Sequence, residues 1–266
     1  MKLNKLLPVI FWVLPLLLPV GCGESPQPAK PAKSQTAQTP PAPQPDTKEA
    51  PAAPTSAVWP FVSEGSAAAD IADNLTGRNF LLIFDGSGSM QQAECSGGLR
   101  KIDAAKQAVK AWSKSVPEDA NLGLYAFHNG GFLSLPLASG NRNAFMQAID
   151  QIVAGGGTPL AEAMEYAYEE FTKQGKRQLG YGEYTIVVVT DGRANSISEL
   201  RKEVDIILSK TPINIFSIGF CIGDQHSLNQ PGRTVYRSAD NPQELQRGLK
   251  EVLAESETFD EQEFSQ

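Results

Sequence analysis

The stretch Phe80-Leu81-Leu82-Ile83-Phe84-Asp85-Gly86-Ser87-Gly88-Ser89 joins a strand-like apolar run to a polar turn. Five consecutive apolar residues are typical of a parallel strand that is covered on both faces. The turn then presents three short oxygen-bearing side chains, spaced two apart and separated by glycines: Asp85, Ser87 and Ser89. Hard divalent cations such as Mg²⁺ bind carboxylate, hydroxyl and water oxygens. The stretch therefore indicates either a cation site at the carboxyl end of a strand or an ordinary Gly/Ser turn.

Two downstream segments offer further oxygen ligands. Gly155-Gly156-Gly157-Thr158-Pro159 precedes a helical pattern, and Thr185-Ile186-Val187-Val188-Val189-Thr190-Asp191-Gly192 is a second apolar run that ends in an acid. Each has a simple local explanation, since Thr158 suits a helix N-cap before a proline and Asp191-Gly192 suits a turn. Their order and context instead favour one site, made of Asp85, Ser87, Ser89, Thr158 and Asp191.

These five residues resemble the metal-ion-dependent adhesion site of the von Willebrand factor type A (VWA) domain. That site is written D-x-S-x-S, then a Thr after a Gly-rich turn, then an Asp after a later strand, and this sequence matches all of its positions. The resemblance covers about residues 77–254. It implies that the serines and the threonine bind the metal directly and that the aspartates often act through water.

The proposed ligand set contains only two anionic side chains. Neutral hydroxyls leave Mg²⁺ (or Mn²⁺) electrophilic, and Mg²⁺ that is not fully caged keeps exchangeable waters. An Asp or Glu of a partner protein can take the place of one water. We therefore expect a divalent-cation-dependent protein-binding or adhesion module, and not an enzyme. An assembly factor for an envelope complex, using the same site, is the alternative.

Other functions fit the sequence less well. His128 and His226 are the only histidines, and a nucleophilic pair of Cys221 with His226 needs a spatial contact and an orienting group. A phosphate-binding loop is excluded because residues 86–89 lack the lysine and the spacing of that motif. A metal-dependent hydrolase with Asp85 as nucleophile stays open, as does a structural module with a vestigial metal site.

The N-terminal segment has the pattern of a lipoprotein signal peptide, which we assign to residues 1–22. Two lysines precede fifteen uncharged, mostly apolar residues at 6–20, a run that is short for a membrane span and is interrupted by prolines. Cys22 stands where such signals place the acylated cysteine, although Pro19 replaces the usual Leu. We expect an exported protein with an N-terminal lipid anchor, on the outer membrane facing the periplasm or on the outer cell surface. A secreted or periplasmic protein, or an uncleaved anchor, is the alternative.

The rest of the chain divides by composition. Residues 23–57 contain nine prolines and no aromatic residue, so they cannot bury a core and are expected to form a disordered tether. We expect a lead-in segment at 58–76, a VWA-like domain at 77–254 and a solvated acidic tail at 255–266. That tail holds five acidic residues of a chain whose net charge is −7. Since the remainder is nearly balanced in charge, we expect no nucleic-acid partner.

With Cys22 assigned to lipidation, Cys95 and Cys221 remain. Cys95 falls in the segment 91–100, inserted before the first main helix, and Cys221 follows a predicted strand, so both are expected at the carboxyl rim of the sheet. An exported protein can keep a disulfide, but sequence does not give the Cα separation that a disulfide requires. A Cys95–Cys221 disulfide and two separate thiols both stay open. The segment 91–100 should lie beside the metal, where it either shapes partner choice or is a plain surface loop.

Strand-like runs alternate with helical stripes in the predicted domain. The strand candidates are 80–85, 121–127, 132–137, 184–190, 213–220 and 233–237. Apolar residues three and four apart indicate five helices, whose stripes begin at Ile102, Phe145, Leu160, Leu200 and Leu245. The short link His128-Asn129-Gly130-Gly131 predicts a hairpin and hence one antiparallel edge strand. The sequence thus predicts a single doubly wound, Rossmann-like α/β domain with a mostly parallel central sheet and helices on both faces.

Overall fold

A computed structural model describes residues 58–61 and 70–257, with side chains described up to residue 255. The predicted signal peptide, Cys22, the tether at 23–57, part of the lead-in segment and the tail from residue 258 lie outside these residues. Within the part that is described, no helix is long and apolar enough to cross a membrane.

The described residues form strands and helices that alternate along the chain. The strands are β1 (Arg78–Asp85), β2 (Asn121–His128), β3 (Gly131–Ala138), β4 (Glu183–Thr190), β5 (Asn214–Phe220) and β6 (Val235–Ala239). The helices are α1 (Lys101–Ser115), α2 (Arg142–Gln151), α3 (Leu160–Arg177), α4 (Ile197–Lys210) and α5 (Pro242–Glu257), and a short 3₁₀ helix spans Gly88–Gln91.

All six strands belong to one sheet, in the order β3-β2-β1-β4-β5-β6. Neighbouring strands run parallel except β3, which pairs antiparallel with β2 at one edge. The predicted α/β class, the parallel sheet and the antiparallel edge strand are therefore confirmed. Four strands extend the predicted ranges by one or two residues, whereas β5 begins one residue later than expected and β6 is shifted by two residues toward the C-terminus.

Helices cover the sheet on both faces, which explains the unbroken apolar runs of the central strands. Phe80, Leu82 and Phe84 of β1 pack on the face that is covered by α1, α2 and α5. Leu81 and Ile83 pack on the other face, beneath α3 and α4. Because side chains alternate along a strand, a strand that is covered on both faces carries consecutive apolar residues, as β1 does from Phe80 to Phe84.

Trp59 closes the core at the end of the sheet where β4 begins. Its indole packs edge-on against Tyr184, with ring centroids 4.8 Å apart, and its Nε1–H donates a hydrogen bond to Thr172 Oγ1 at 3.3 Å. A Cβ on Gly175 would overlap the same indole. Only a glycine on α3 therefore lets the segment 58–61 dock against this helix, at the end of the sheet opposite the carboxyl ends of the parallel strands.

Replacing Trp59 with alanine should remove this contact and leave a cavity beside Tyr184. We expect Trp59→Ala to lower the free energy of unfolding by about 3 kcal/mol, as for other large core truncations. Urea denaturation measures this change. Val58 is 82% exposed, so Val58→Ala is the matched control and should change stability by less than about 0.5 kcal/mol. A Trp59→Ala effect as small as the control's would contradict the docking.

Candidate functional site

The carboxyl ends of β1 and β4 meet at the point where the strand order reverses. From β1 the chain passes to β2 on one side, whereas β4, β5 and β6 extend the sheet on the other side. Helix α1, which follows β1, and helix α4, which follows β4, pack on opposite faces. Such a reversal opens a crevice outside the strand ends, where α/β proteins bind ligands. Asp85 ends β1 and Asp191 directly follows β4, so both border this crevice.

Asp85 is fully buried, and it forms no ion pair with any residue that the structure describes. Its Oδ1 accepts the backbone N–H of Ser87 at 2.8 Å, and its Oδ2 accepts the Thr190 hydroxyl at 2.6 Å. Burial raises the pKa of the Asp85 carboxyl to about 6, although the hydrogen bonds from Ser87 and Thr190 favour the ionised form.

A chain of short contacts links the two serines to Asp191. The Ser87 and Ser89 hydroxyl oxygens lie 3.0 Å apart, and the Ser89 hydroxyl donates to Asp191 Oδ1 at 2.6 Å. The other Asp191 oxygen, Oδ2, accepts a hydrogen bond from the Lys101 ammonium at 3.0 Å. Asp191 thus has a buried cationic partner, whereas Asp85 has none among the described residues.

Thr158 is held by reciprocal contacts with Asn195, a residue of the loop after β4. The Thr158 N–H donates to Asn195 Oδ1 at 2.9 Å, and the Asn195 N–H donates to the Thr158 carbonyl at 2.9 Å. A Cβ on Gly157 would lie 2.8 Å from Asn195 Oδ1, so this close approach requires glycine. Helix α3 has Pro159 as its N-cap, so Thr158 is not the N-cap residue. Its hydroxyl makes no hydrogen bond to any described residue.

Three oxygens from two separate stretches of chain, residues 85–89 and Thr158, face one point above Gly192. The position that a Cβ on Gly192 would occupy lies 3.5 Å from Thr158 Oγ1, 3.6 Å from Ser89 Oγ and 4.0 Å from Asp85 Oδ2. Through Ser89, the contacts extend to Ser87 and Asp191. The structure therefore brings together the five side chains that the sequence singles out, in a cluster of two carboxylates and three hydroxyls.

Hydroxyls and carboxylates are the ligand types that Mg²⁺ and Mn²⁺ prefer, and the unpartnered Thr158 hydroxyl at the convergence point fits such an ion. In the described residues no group of three or more His, Cys, Asp or Glu side chains is arranged to hold a metal. The cluster therefore lacks the nitrogen and thiolate ligands that zinc prefers.

Sequence reasoning did not identify three residues that shape the cluster. Thr190 is the last residue of β4, and its hydroxyl binds Asp85. Asn195 fixes Thr158, and Lys101, the first residue of α1, binds Asp191. Only Thr190 carries a signal in sequence, as a polar residue at the end of an otherwise apolar strand. Asn195 and Lys101 contact residues that are far away in the sequence, so no local sequence pattern indicates their roles.

The segment 92–100 lies between the 3₁₀ helix and α1, and it is tied to the end of β5. The structure joins Cys95 and Cys221 in a disulfide, with Cα atoms 6.1 Å apart, which lies within the usual range. The same segment contacts Lys101, whose backbone N–H donates to the Gln92 carbonyl at 2.7 Å. The insertion is therefore closed at its base by the Gln92–Lys101 contact and tied through Cys95 to the end of β5.

Non-reducing peptide mapping tests the disulfide. In protein that is alkylated before digestion, we expect a linked peptide pair that contains Cys95 and Cys221, because their Cα separation suits a bridge. Prior reduction should replace the pair by two alkylated peptides. Alkylated Cys95 and Cys221 in the unreduced sample would contradict the linkage.

His226 holds the loop that carries Asp191. The Leu228 N–H donates to His226 Nδ1 at 3.2 Å, so Nδ1 is an acceptor and the proton of the neutral ring is on Nε2. Nε2 then donates to the Gly192 carbonyl at 2.9 Å. Burial lowers the pKa of His226, and the nearby Arg193 lowers it further, while the hydrogen bond to Gly192 opposes both.

We expect NMR titration to give a pKa for His226 below the ordinary value of about 6.5. Since the folded pKa is lowered, the stability contributed by neutral His226 is present near pH 7 and is lost as the pH falls below about 6.5. The chain has two histidines, so His128→Gln leaves His226 as the only imidazole signal. A measured value at or above 6.5 would contradict the buried neutral tautomer.

Residues 80–193, which include all five cluster residues, match the family model of the von Willebrand factor type A domain. The chain is also similar to the uncharacterized protein YwmD of Bacillus subtilis (strain 168), with 27% identity over 199 residues that make up 66% of this chain and 85% of that protein. The part of the chain that carries the cluster is therefore similar to VWA domains.

Solved structures share its fold. The pilus adhesin SpaC from Lactobacillus rhamnosus GG aligns with a TM-score of 0.55 and 14% identity, over 70% of this chain and 31% of that one. A von Willebrand factor type A structure from Catenulispora acidiphila aligns with a TM-score of 0.55 and 18% identity, over 68% of this chain and 43% of that one. This chain thus spans less than half the length of either. At these identities the likeness shows the fold alone.

Proposed function

We propose that this protein is a divalent-cation-dependent protein-binding or adhesion module. Asp85, Ser87, Ser89, Thr158 and Asp191 would hold Mg²⁺ or Mn²⁺ at the carboxyl edge of the sheet. The observation that carries this proposal is the convergence of Thr158 Oγ1, Ser89 Oγ and Asp85 Oδ2 on one point, within 4.0 Å of each.

The residues of the cluster suit a docking role. When bound, the cation supplies a coordination position for an Asp or Glu carboxylate of a partner protein. The chain's own side chains provide three neutral hydroxyls and two carboxylates, and Asp191 is already paired with Lys101. Part of the ion's charge is therefore left for that partner to balance. The match to pilus adhesin SpaC in fold, at low identity, is compatible with adhesion and does not define the partner.

Catalysis by a nucleophilic cysteine with a histidine base is disfavoured, because both candidate side chains are already bonded. Cys221 is linked to Cys95 and so offers no thiolate. Both ring nitrogens of His226 are engaged by backbone groups, which leaves no free base beside it. A metal-dependent hydrolase is the less favoured alternative, and hydrolysis of a phosphate or ester substrate that is abolished by Asp85→Ala would support it.

We further propose that the module is tethered at the cell envelope by a lipid on Cys22, with residues 23–57 as spacer. The signal-like N-terminal pattern supports this location. A role as an assembly factor for an envelope complex would use the same cation-dependent contact. An intact mass of the mature N-terminus that corresponds to an acylated Cys22 would support the anchor, and an unmodified Cys22 would rule it out.

Asp85→Ala should weaken both cation binding and partner binding, because it removes the only cluster carboxylate that has no cationic partner within the described chain. We expect Mg²⁺ and Mn²⁺ affinity, measured by isothermal titration calorimetry, to fall at least about tenfold with the loss of one anionic ligand. Circular dichroism should show an intact fold. Partner capture from envelope extracts should be lost in EDTA and restored by added Mg²⁺.

Asp103→Ala is the matched control. Asp103 is a carboxylate on α1 that pairs with exposed Arg100 at 2.7 Å, so its loss should leave cation affinity unchanged. Two results would refute the proposal: no binding of either cation by the wild-type protein, or specific partner binding that survives EDTA and the Asp85→Ala substitution.

A further inference from the structure

Lys101 is an unusual residue for its position. Its side chain is 4% exposed, and its ammonium lies 3.0 Å from Asp191 Oδ2, whose side chain is fully buried. Gln92 Oε1 also accepts a hydrogen bond from this ammonium at 3.3 Å, and Glu94 Oε2 lies 4.0 Å away. The Lys101 charge is thus directed into the cluster and away from solvent.

Two general preferences oppose a lysine here. Lysine is seldom buried, and a positive charge is disfavoured in the first turn of a helix, where the helix dipole is also positive. Lys101 is the first residue of α1. The buried pairing with Asp191 is the shortest ionic contact that offsets both effects, and removing one partner of such a pair leaves an uncompensated charge.

We propose that Lys101 is a positioning residue that serves as an internal counter-ion of the candidate metal site. It neutralises Asp191 and orients Oδ1 toward the Ser89 hydroxyl, which donates to it at 2.6 Å. Asp85 is then the one carboxylate of the cluster that lacks a cationic partner among the described residues. This inference rests on the proposed function of the same cluster.

The position of Lys101 should lower the affinity of the site for a divalent cation. A divalent cation held by this cluster lies close to the Lys101 ammonium, and like charges at short range repel strongly where solvent is excluded. The domain alone should therefore bind the cation weakly. A carboxylate brought by the partner adds the negative charge that Lys101 cancels, so Lys101 makes occupancy of the site depend on an acidic partner.

The test measures Mn²⁺ binding to the full chain by calorimetry and by electron paramagnetic resonance. Lys101→Gln keeps a hydrogen-bonding side chain and removes the charge, and it should bind Mn²⁺ about tenfold more tightly than wild type. Lys101→Arg keeps the charge and should stay close to wild type. Lys114→Gln makes the same substitution at an exposed position of α1 and should leave the affinity unchanged.

Each outcome decides a specific point. If wild type binds Mn²⁺ and folded Lys101→Gln binds it equally or more weakly, the counter-ion role is overturned while the proposed function stands. If wild type binds no Mn²⁺, the proposed function fails, and the counter-ion role, which rests on it, fails with it.

A second pair of variants tests the same role if Lys101→Gln does not fold. Asp191→Asn leaves the lysine charge without its carboxylate, whereas Lys101→Gln combined with Asp191→Asn replaces the ion pair by a neutral pair. The double variant should bind Mn²⁺ about tenfold more tightly than Asp191→Asn alone, because it lacks the repelling ammonium. Equal affinities of the two would overturn the role of Lys101.

Discussion

Parallel pairing between β1 and β4 determines where the polar cluster lies. The register places Phe84 beside Val189, so Asp85 and Thr190 come level and the Thr190 hydroxyl reaches Asp85 Oδ2. A slip of one residue would turn Asp85 toward the opposite face of the sheet. Both strands are buried on two faces along their apolar runs, and this burial holds the register. The hydrophobic core therefore positions the oxygens of the candidate site.

The two carboxylates of the cluster have different electrostatic environments. Asp191 is matched by Lys101 at 3.0 Å, whereas Asp85 is stabilised by hydrogen bonds alone within the described chain. Burying a charge without a counter-charge is unfavourable, which explains why burial raises the pKa of Asp85. In the proposed function, a bound cation relieves this imbalance at Asp85, and the pairing of Lys101 with Asp191 limits how far it can do so.

Much of the fold and of the cluster could be predicted from sequence, because both depend on local patterns. Apolar runs followed by Asp85 or Asp191, and a glycine turn before Thr158, place oxygens at strand ends and at a helix start. The contribution of Lys101 could not be predicted, since a lysine at a helix start normally faces solvent and its partner lies 90 residues away. The Cys95–Cys221 pairing depends on a Cα separation, which no sequence spacing provides.

The segment 92–100 links Lys101 to the end of β5 at the edge of the candidate site. Within the segment Cys95 is linked to Cys221, directly after β5. At its base Gln92 accepts hydrogen bonds from both the backbone N–H and the ammonium of Lys101. A loop that is fixed at its base and by a disulfide loses less conformational entropy when it meets a ligand than a free loop would. Lys101 is therefore held by the loop as well as by Asp191. The rim around the cluster is pre-organised, and in the proposed function the partner's carboxylate meets a site whose charge and shape are already set.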